Sequence, residues 1–232
     1  MEATAKISGD GPIRRRASAT RQRILDGAEA LFSRQGYHAV ALADIAAEAS
    51  VRVALLHYHF GTKEELFAAV IERRAAENVA GLEASLATAL AMPGSRTERR
   101  AAIIRAFVEP VIEKSMRGGP GWKNYIRLLA RLANLPQEES FLSPYRSSFD
   151  AIVADYVGAL RALHPEIDGQ DVHWAFYFVQ AASTHILVES GVLDRQSAGA
   201  LQSSALDVVG RKFVSFCTAG FTAFLPDQGG SA

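Results

Sequence analysis

Arg52, Leu55 and His57 lie close together in this 232-residue chain, and their side chains suit one kind of chemistry. A guanidinium can pair with the two acceptors of guanine. An imidazole can hydrogen-bond a base or a phosphate. A leucine can meet a thymine methyl. On a short helix running from about Arg52 to Tyr58, Val53 and Leu56 recur three residues apart and are expected to face inward. Arg52, Leu55 and His57 then face outward as candidate readers of DNA base edges.

The elements that must position them span residues 41–63. Leu42, Ile45, Ala46 and Ala49 recur at helical spacing and define a first helix with one apolar face. The chain breaks at Ser50-Val51, and Gly61 stops the second helix. Thr62-Lys63-Glu64-Glu65 fits a capping box, in which Thr and Glu satisfy each other's free amides. Two helices joined by a tight turn form a helix-turn-helix, whose second helix can enter a major groove. Upstream, Ile24, Leu25, Ala28, Leu31 and Phe32 form the buried stripe of a helix that Ser18 or Thr20 would cap and Gly36 would end.

These residues resemble the N-terminal domain of TetR-type transcriptional repressors. The resemblance runs from Arg21 to Phe67. It rests on Gln22-Arg23-Ile24-Leu25, Ala28, Leu31-Phe32, Gly36-Tyr37, Asp44-Ile45-Ala46, Ala49, Val51, Tyr58-His59-Phe60-Gly61-Thr62-Lys63-Glu64 and Leu66. It implies that Tyr58 and Lys63 contact backbone phosphates and that His59 is structural. The chain departs from the family pattern at Ala41, Ser50, Arg52 and His57, all turn or DNA-facing positions. The resemblance also implies a homodimer through the last two long helices, matched to a palindromic site. Phe213, Phe216, Cys217, Gly220 and Phe224 recur at helical spacing there, and Ala181, Ala182 and Ser183 would permit close helix approach. The same residues could equally pack the monomer's own core.

Every later segment reads as helix, so the expected fold is all-α: a three-helix unit joined by a long helix to a larger helical domain. The long helix runs from Thr62 to about Ala91 and is the natural mechanical link. Further helices are expected from Thr97 to Met116, kinked or split at Pro110, and from Trp122 to Leu132. Others follow within Glu138–Leu163, with the true start near Pro144, then from Asp171 to Glu189 and from Leu201 to Phe224. Residues 118–121 and Leu135-Pro136 are breaks. The expected organisation is a flexible basic arm (1–17), a DNA-binding domain (18–66), a ligand-binding and dimerisation domain (67–225) and a flexible tail (226–232). The first 25 residues hold six basic against two acidic side chains, which suits phosphate contacts or a solvated tail.

The middle of the chain is rich in aromatics, from which a pocket could draw walls. Trp122, Tyr125, Trp174, Tyr177 and Phe178 are candidates. Arg127 and Arg131, four apart on one helix face, could hold an acidic or thioester-linked ligand, or form a basic face or a salt bridge to a neighbouring helix. His185 shares a face with Trp174 and Phe178 and could donate to a ligand or sit as a core histidine. Residues 122–131 and 171–187 also resemble the fatty-acid-responsive branch of TetR-type repressors. That resemblance implies a long-chain acyl group or another amphipathic acid as effector.

The formal charge is zero, so the chain is not a bulk polycation. Cys217 is its single cysteine, which precludes an internal disulfide and fits a reducing cytosol. No apolar signal core opens the sequence, and the longest apolar stretch, Trp174–Val188, is interrupted by Gln180, Ser183, Thr184 and His185. A cytoplasmic protein without membrane contact is expected. His164, His173 and His185 lack metal-ligand spacing. Phosphate loop, nucleophile elbow and paired carboxylates are missing, so neither cofactor nor catalytic residue is assigned. The expectation is a dimeric repressor of double-stranded DNA, released by a small amphipathic or acidic effector such as an acyl-CoA or fatty acid. Control by a protein partner and a helical enzyme reusing the aromatic cavity remain as alternatives.

Overall fold

The computed structural model describes residues 12–133 and 143–225, and every regular element among them is helical. The chain divides into two compact units, Met1–Val70 and Ile71–Ala232.

The first unit contains α1 (Pro12–Gln35), α2 (Leu42–Glu48), α3 (Val53–Phe60) and the start of α4 (Lys63–Ala91). Ile24, Leu25, Ala28, Leu31 and Phe32 of α1 are buried as their spacing requires. They pack with Ile45, Leu56, Leu66 and Phe67 in one apolar core. Phe32, Tyr37 and Phe67 meet edge to face or tilted, with ring centroids 4.9–5.9 Å apart. Helix α1 begins at Pro12, ahead of the Ser18 or Thr20 start expected from capping. Proline is pre-set for the first helical turn, and the helix then runs through Gly27 to end at Gly36. Gly36 then takes φ +84°.

The second unit contains the rest of α4, then α5 (Arg96–Arg117), α6 (Gly119–Leu132), α7 (Ser143–Leu163), α8 (Gly169–Leu187), α9 (Val192–Gln196) and α10 (Leu206–Gly220), with a 3₁₀ turn at Phe221–Phe224. Asp168 caps α8, accepting from the Gln170 amide at 2.7 Å. The break expected at Leu135-Pro136 and the stretch from Glu138 to Leu142 lie outside the described residues. The final helix expected from Leu201 to Phe224 starts at Leu206 as α10 and ends in the 3₁₀ turn, and the short α9 and a turn precede it. Ala198 and Gly199 both take positive φ there, and Asp194 Oδ2 accepts from the Ser203 amide at 2.9 Å, which holds the turn closed. Helices α5 and α6 meet at Gly118, where a Cβ would lie 2.6 Å from both the Lys114 carbonyl and the Trp122 side chain.

Pro110 does not split α5, which runs unbroken past it. Proline has no amide hydrogen, so the Ala106 carbonyl loses its helical partner. Tyr156 Oη from α7 lies 2.9 Å from that carbonyl and 2.9 Å from the Leu82 carbonyl of α4. One hydroxyl proton is thus shared between two carbonyls, and three helices are tied at a fully buried side chain. A second polar knot joins α5 to the end of α7. Arg100, 2 % exposed, donates to His164 Nε2 at 3.3 Å. That bond needs a neutral imidazole with its proton on Nδ1, which donates to Glu166 at 3.1 Å. Glu166 also pairs with Arg96 at 3.1 Å.

Candidate functional site

The turn between α2 and α3 is closed by two backbone bonds. Ser50 N donates to Ala47 O at 3.0 Å and Val51 N to Ala46 O at 2.9 Å, the pairing of a Schellman motif. Ser50 occupies its left-handed position with φ +52°. The Cβ of a serine is disfavoured there, where glycine is free. Ser50→Gly should therefore stabilise the DNA-binding unit by about 0.5–1 kcal/mol, after subtracting glycine's larger unfolded-state entropy. Thermal unfolding checks this, and a lowered melting temperature would contradict it. At the start of α2, Asp44 Oδ2 accepts from the Ala41 amide at 2.9 Å. Ala41 has no oxygen to return the bond, so only half of a capping box forms.

Helix α3 is held inward by Leu56 and Phe60. Arg52 is its N-cap in extended conformation and is exposed. Leu55 is 38 % exposed, His57 is exposed and Tyr58 is 80 % exposed. Val53, expected inward, is as exposed as Leu55. Three residues of helix rotate a side chain by about 300°, and only the i,i+4 pair Leu56–Phe60 is fully aligned with the core. Val53 therefore joins Arg52, Leu55 and Tyr58 on the outward surface, a position the periodicity missed. His57 Nδ1 lies 2.8 Å from the Gly61 carbonyl, so it carries the proton and donates. In the neutral ring its Nε2 is then an acceptor, open to an exocyclic amine on a base edge.

The α3–α4 junction is as its sequence requires. Thr62 Oγ1 accepts from Glu65 N at 3.1 Å, and Glu65 Oε2 accepts from Thr62 N at 2.8 Å. Gly61 sits at φ +72°, where a Cβ would run into Glu65 Oε2. The Lys63 amide opens helix α4, where a helix start favours an anion, and the Glu64 amide meets its own carboxylate. Lys63 Nζ lies 4.4 Å above the Tyr37 ring, and partial burial lowers its pKa. Tyr37 Oη donates to Glu64 at 2.8 Å and holds that carboxyl below the usual carboxylate range. The resulting stabilisation is present at neutral pH and is lost as pH falls through the lowered pKa. Tyr58, Lys63 and the outward residues of α3 thus all lie on the first unit.

In the second unit a cavity of about 340 Å³ opens among α4, α5, α6, α7 and α8. Leu82, Phe107, Ile126, Leu129, Phe149 and Leu187 supply apolar wall. Asp150, Tyr177 and Ala181 are exposed residues of its lining, and Asn78, Leu82 and Ser183 are buried ones.

Of the aromatics and cations expected around a pocket, only Tyr177 borders this cavity. Trp122 is 9 % exposed and Tyr125 fully buried, and they pack edge to face. Lys114 Nζ and the Arg74 guanidinium lie 4.2 Å and 5.1 Å from the Trp122 ring. Arg127 pairs with Glu189 at 3.4 Å, and Lys123 joins the same carboxylate group at 3.1 Å. That is the salt bridge to a neighbouring helix end, the alternative to a ligand clamp. Arg131 is half-buried on α6 and does not border the cavity. Trp174, Tyr177 and Phe178 are each more than half exposed on α8, and His185 is exposed on the same helix. From sequence, Asn78 and Phe149 are passed over and Ser183 is taken only as a small residue for close helix approach, because a lone polar residue in an apolar helix carries no periodic signal.

The outer face of α8 is continuous with α10 at its end. Phe178 lies 6.4 Å from Phe224, and Trp174 touches both Tyr177 and Phe178. On α10, Phe213 and Cys217 are buried in the unit's own core, whereas Phe216 is 74 % exposed. Burial pushes the Cys217 thiol up to about 11, which removes thiolate nucleophilicity at neutral pH. Among the described residues no cluster of His, Cys, Asp or Glu could hold a metal ion, and no helix is long and apolar enough to cross a membrane.

A helix-turn-helix unit followed by a helical domain with an internal cavity defines a class of DNA-binding regulators. Residues 24–70 match the family described as bacterial regulatory proteins, tetR family, and residues 105–220 match the tetracyclin repressor-like C-terminal domain. The chain belongs to the TetR family. It is 29 % identical over 150 residues to the A-factor receptor protein of Streptomyces griseus, covering 62 % of this chain and 54 % of that one. It is 33 % identical over 98 residues to the HTH-type transcriptional activator FasR of Mycolicibacterium smegmatis, covering 42 % of each. The chain thus spans about half the length, or less, of these curated relatives. Among solved structures, Salmonella enterica GusR superposes with a TM-score of 0.56 at 19 % identity, covering 89 % of this chain and 95 % of that one. A TetR-like regulator from Rhodococcus sp. RHA1 superposes with a TM-score of 0.54 at 22 % identity, covering 87 % and 96 %. FadR from Bacillus subtilis in complex with stearoyl-CoA gives 0.50 at 17 % identity, covering 86 % and 98 %. These likenesses show the fold.

Proposed function

We propose that this protein is a ligand-responsive transcriptional repressor that binds a palindromic operator as a homodimer and is released by a small amphipathic effector. The single observation that carries the reading is that one chain holds both an outward-facing α3 with an anion-ready α4 start and a largely apolar cavity bordered by α4 itself. Helix α4 contains Lys63 in its first turn and Asn78 and Leu82 at the cavity. An effector with different affinities for two positions of α4 would shift the balance between DNA-binding and released states. A dimer through α8 and α10 is supported by the exposed aromatics of α8 and by Phe216. The neighbouring FadR bound to stearoyl-CoA supports a lipid-like effector. An acid clamp at Arg127 is disfavoured by its pairing with Glu189. We assign base reading to Arg52, Leu55 and His57 and phosphate contact to Tyr58 and Lys63.

Selection of genomic fragments with purified protein tests the reading, and recovery of no fragment above background would sink it. On a recovered operator, Lys63→Ala should weaken binding to all sequences alike, by about tenfold at low salt, and reduce the salt slope by about one. Arg52→Ala or His57→Ala should change preference between half-site variants, by about 1–3 kcal/mol at the base each contacts. A uniform loss from all three substitutions would contradict the assignment.

A further inference from the structure

Asn78 places an unpaired acceptor among the buried residues of the cavity lining. Asn78 is 3 % exposed, borders the cavity, and its Oδ1 has no hydrogen-bond partner. A buried carbonyl oxygen left unpaired is costly, and native structures rarely tolerate one without a use. The two α8 hydroxyls in the lining have already committed their protons. Ser183 Oγ donates to the Val179 carbonyl at 2.7 Å and Thr184 Oγ1 to the Ala181 carbonyl at 2.8 Å. Each hydroxyl therefore turns only its lone pairs to a ligand. A carboxylate has no proton to give Asn78 Oδ1 and would leave it unpaired. The cationic lining residue is Arg146, and acidic Asp150 lies four residues along the same helix, so the wall has no net charge. At about 340 Å³ the cavity lies at the small end of ligand sites.

We propose that the cavity takes a small neutral ligand with an apolar body and a hydroxyl or amide N–H donating to Asn78 Oδ1. This rests on the effector reading above and narrows it: the ligand is an alcohol-like molecule and not an acid. Asn78 is the specificity-determining residue. Because it belongs to α4, the bond that selects the ligand also pulls on the helix that begins with Lys63.

The test is calorimetric titration of the full chain with 1-decanol, its equal-length methyl ether 1-methoxynonane, decanoate and stearate. Wild type should bind the alcohol about tenfold more tightly than the ether and more tightly than either acid, the factor expected for one buried hydrogen bond. Asn78→Leu, similar in volume, should lose that preference while still binding the ether, which also shows that it is folded. Asn78→Asp keeps an acceptor in the same place and should keep the preference. Equal affinities for alcohol and ether in wild type, tighter binding of decanoate or stearate, or no binding of any of the four would overturn the proposal. The same compounds are added to a mobility-shift assay on a recovered operator. Alcohol binding that depends on Asn78 but leaves DNA bound would overturn the effector role alone. Release by the ether in preference to the alcohol would overturn the assignment of Asn78.

Discussion

Phe216→Arg should convert the protein to a monomer and lower operator affinity by more than about a hundredfold. Phe216 is 74 % exposed on α10, and Trp174, Tyr177 and Phe178 on α8 are each exposed by more than half. Large aromatics left exposed on two helices of one unit mark an interaction site. An arginine placed there would have to be buried without a carboxylate when two copies meet, which costs several kcal/mol. A three-helix unit reads few base pairs alone, and two-fold symmetry on a palindrome supplies the rest. A factor of one hundred corresponds to about 2.8 kcal/mol. Sedimentation and mobility shift on the same sample check both halves of the expectation. A variant that remains dimeric with full affinity would place the interface elsewhere.

The second large effect concerns Tyr156. Tyr156→Phe removes the hydroxyl shared by the Leu82 and Ala106 carbonyls. Leu82 retains a helical amide partner in α4, but Ala106 faces Pro110 and has none. The variant should lose about 1–3 kcal/mol, most of it from the orphaned Ala106 carbonyl. Pro110→Ala restores an amide to that carbonyl, so Tyr156→Phe in that background should cost about 1 kcal/mol less. Chemical denaturation of the four species gives the coupling directly. Strict additivity would show that the tyrosine does not substitute for the missing amide. Tyr156→Ala should cost more, about 3–5 kcal/mol, since the ring also packs on Phe107 and Phe176 at centroid distances of 5.2 Å and 5.9 Å.

The Pro110 case shows where sequence reading reaches its limit. A proline at mid-helix predicts a kink or split, and the repair comes from a hydroxyl on another helix. By contrast, the Thr62–Glu65 box and the Gly61 stop rest on bonds between near neighbours, and both are legible directly. The buried stripe of α1 is legible for the same reason: many apolar residues agree on one face. Periodicity says which side chains share a face and not whether that face looks into a core or out of it. Trp174 and Phe178 share a face as expected, yet that face is outward and the cavity is walled by others. Arg127 illustrates the partner problem, since Glu189 is far along the chain and only the fold brings the two together. Asn78 is the reverse: a small polar residue inside a helix, unremarkable until the cavity and its unpaired oxygen are seen. Ser50 lies between these cases. Its departure from the family pattern is visible in sequence, and its positive φ shows what the departure costs.

The central claim is that α3 of two copies reads successive major grooves. Footprinting of purified protein at low salt on palindromes recovered by genomic selection tests it most directly, because phosphate contacts dominate affinity and fade with salt. Two half-sites about 34–36 Å apart, or a multiple of that spacing, should be protected on one face of the duplex. Hydroxyl-radical protection should disappear in Phe216→Arg and weaken evenly in Lys63→Ala. Absence of any protected palindrome, or a single unpaired half-site bound by a monomer with full affinity, would contradict it.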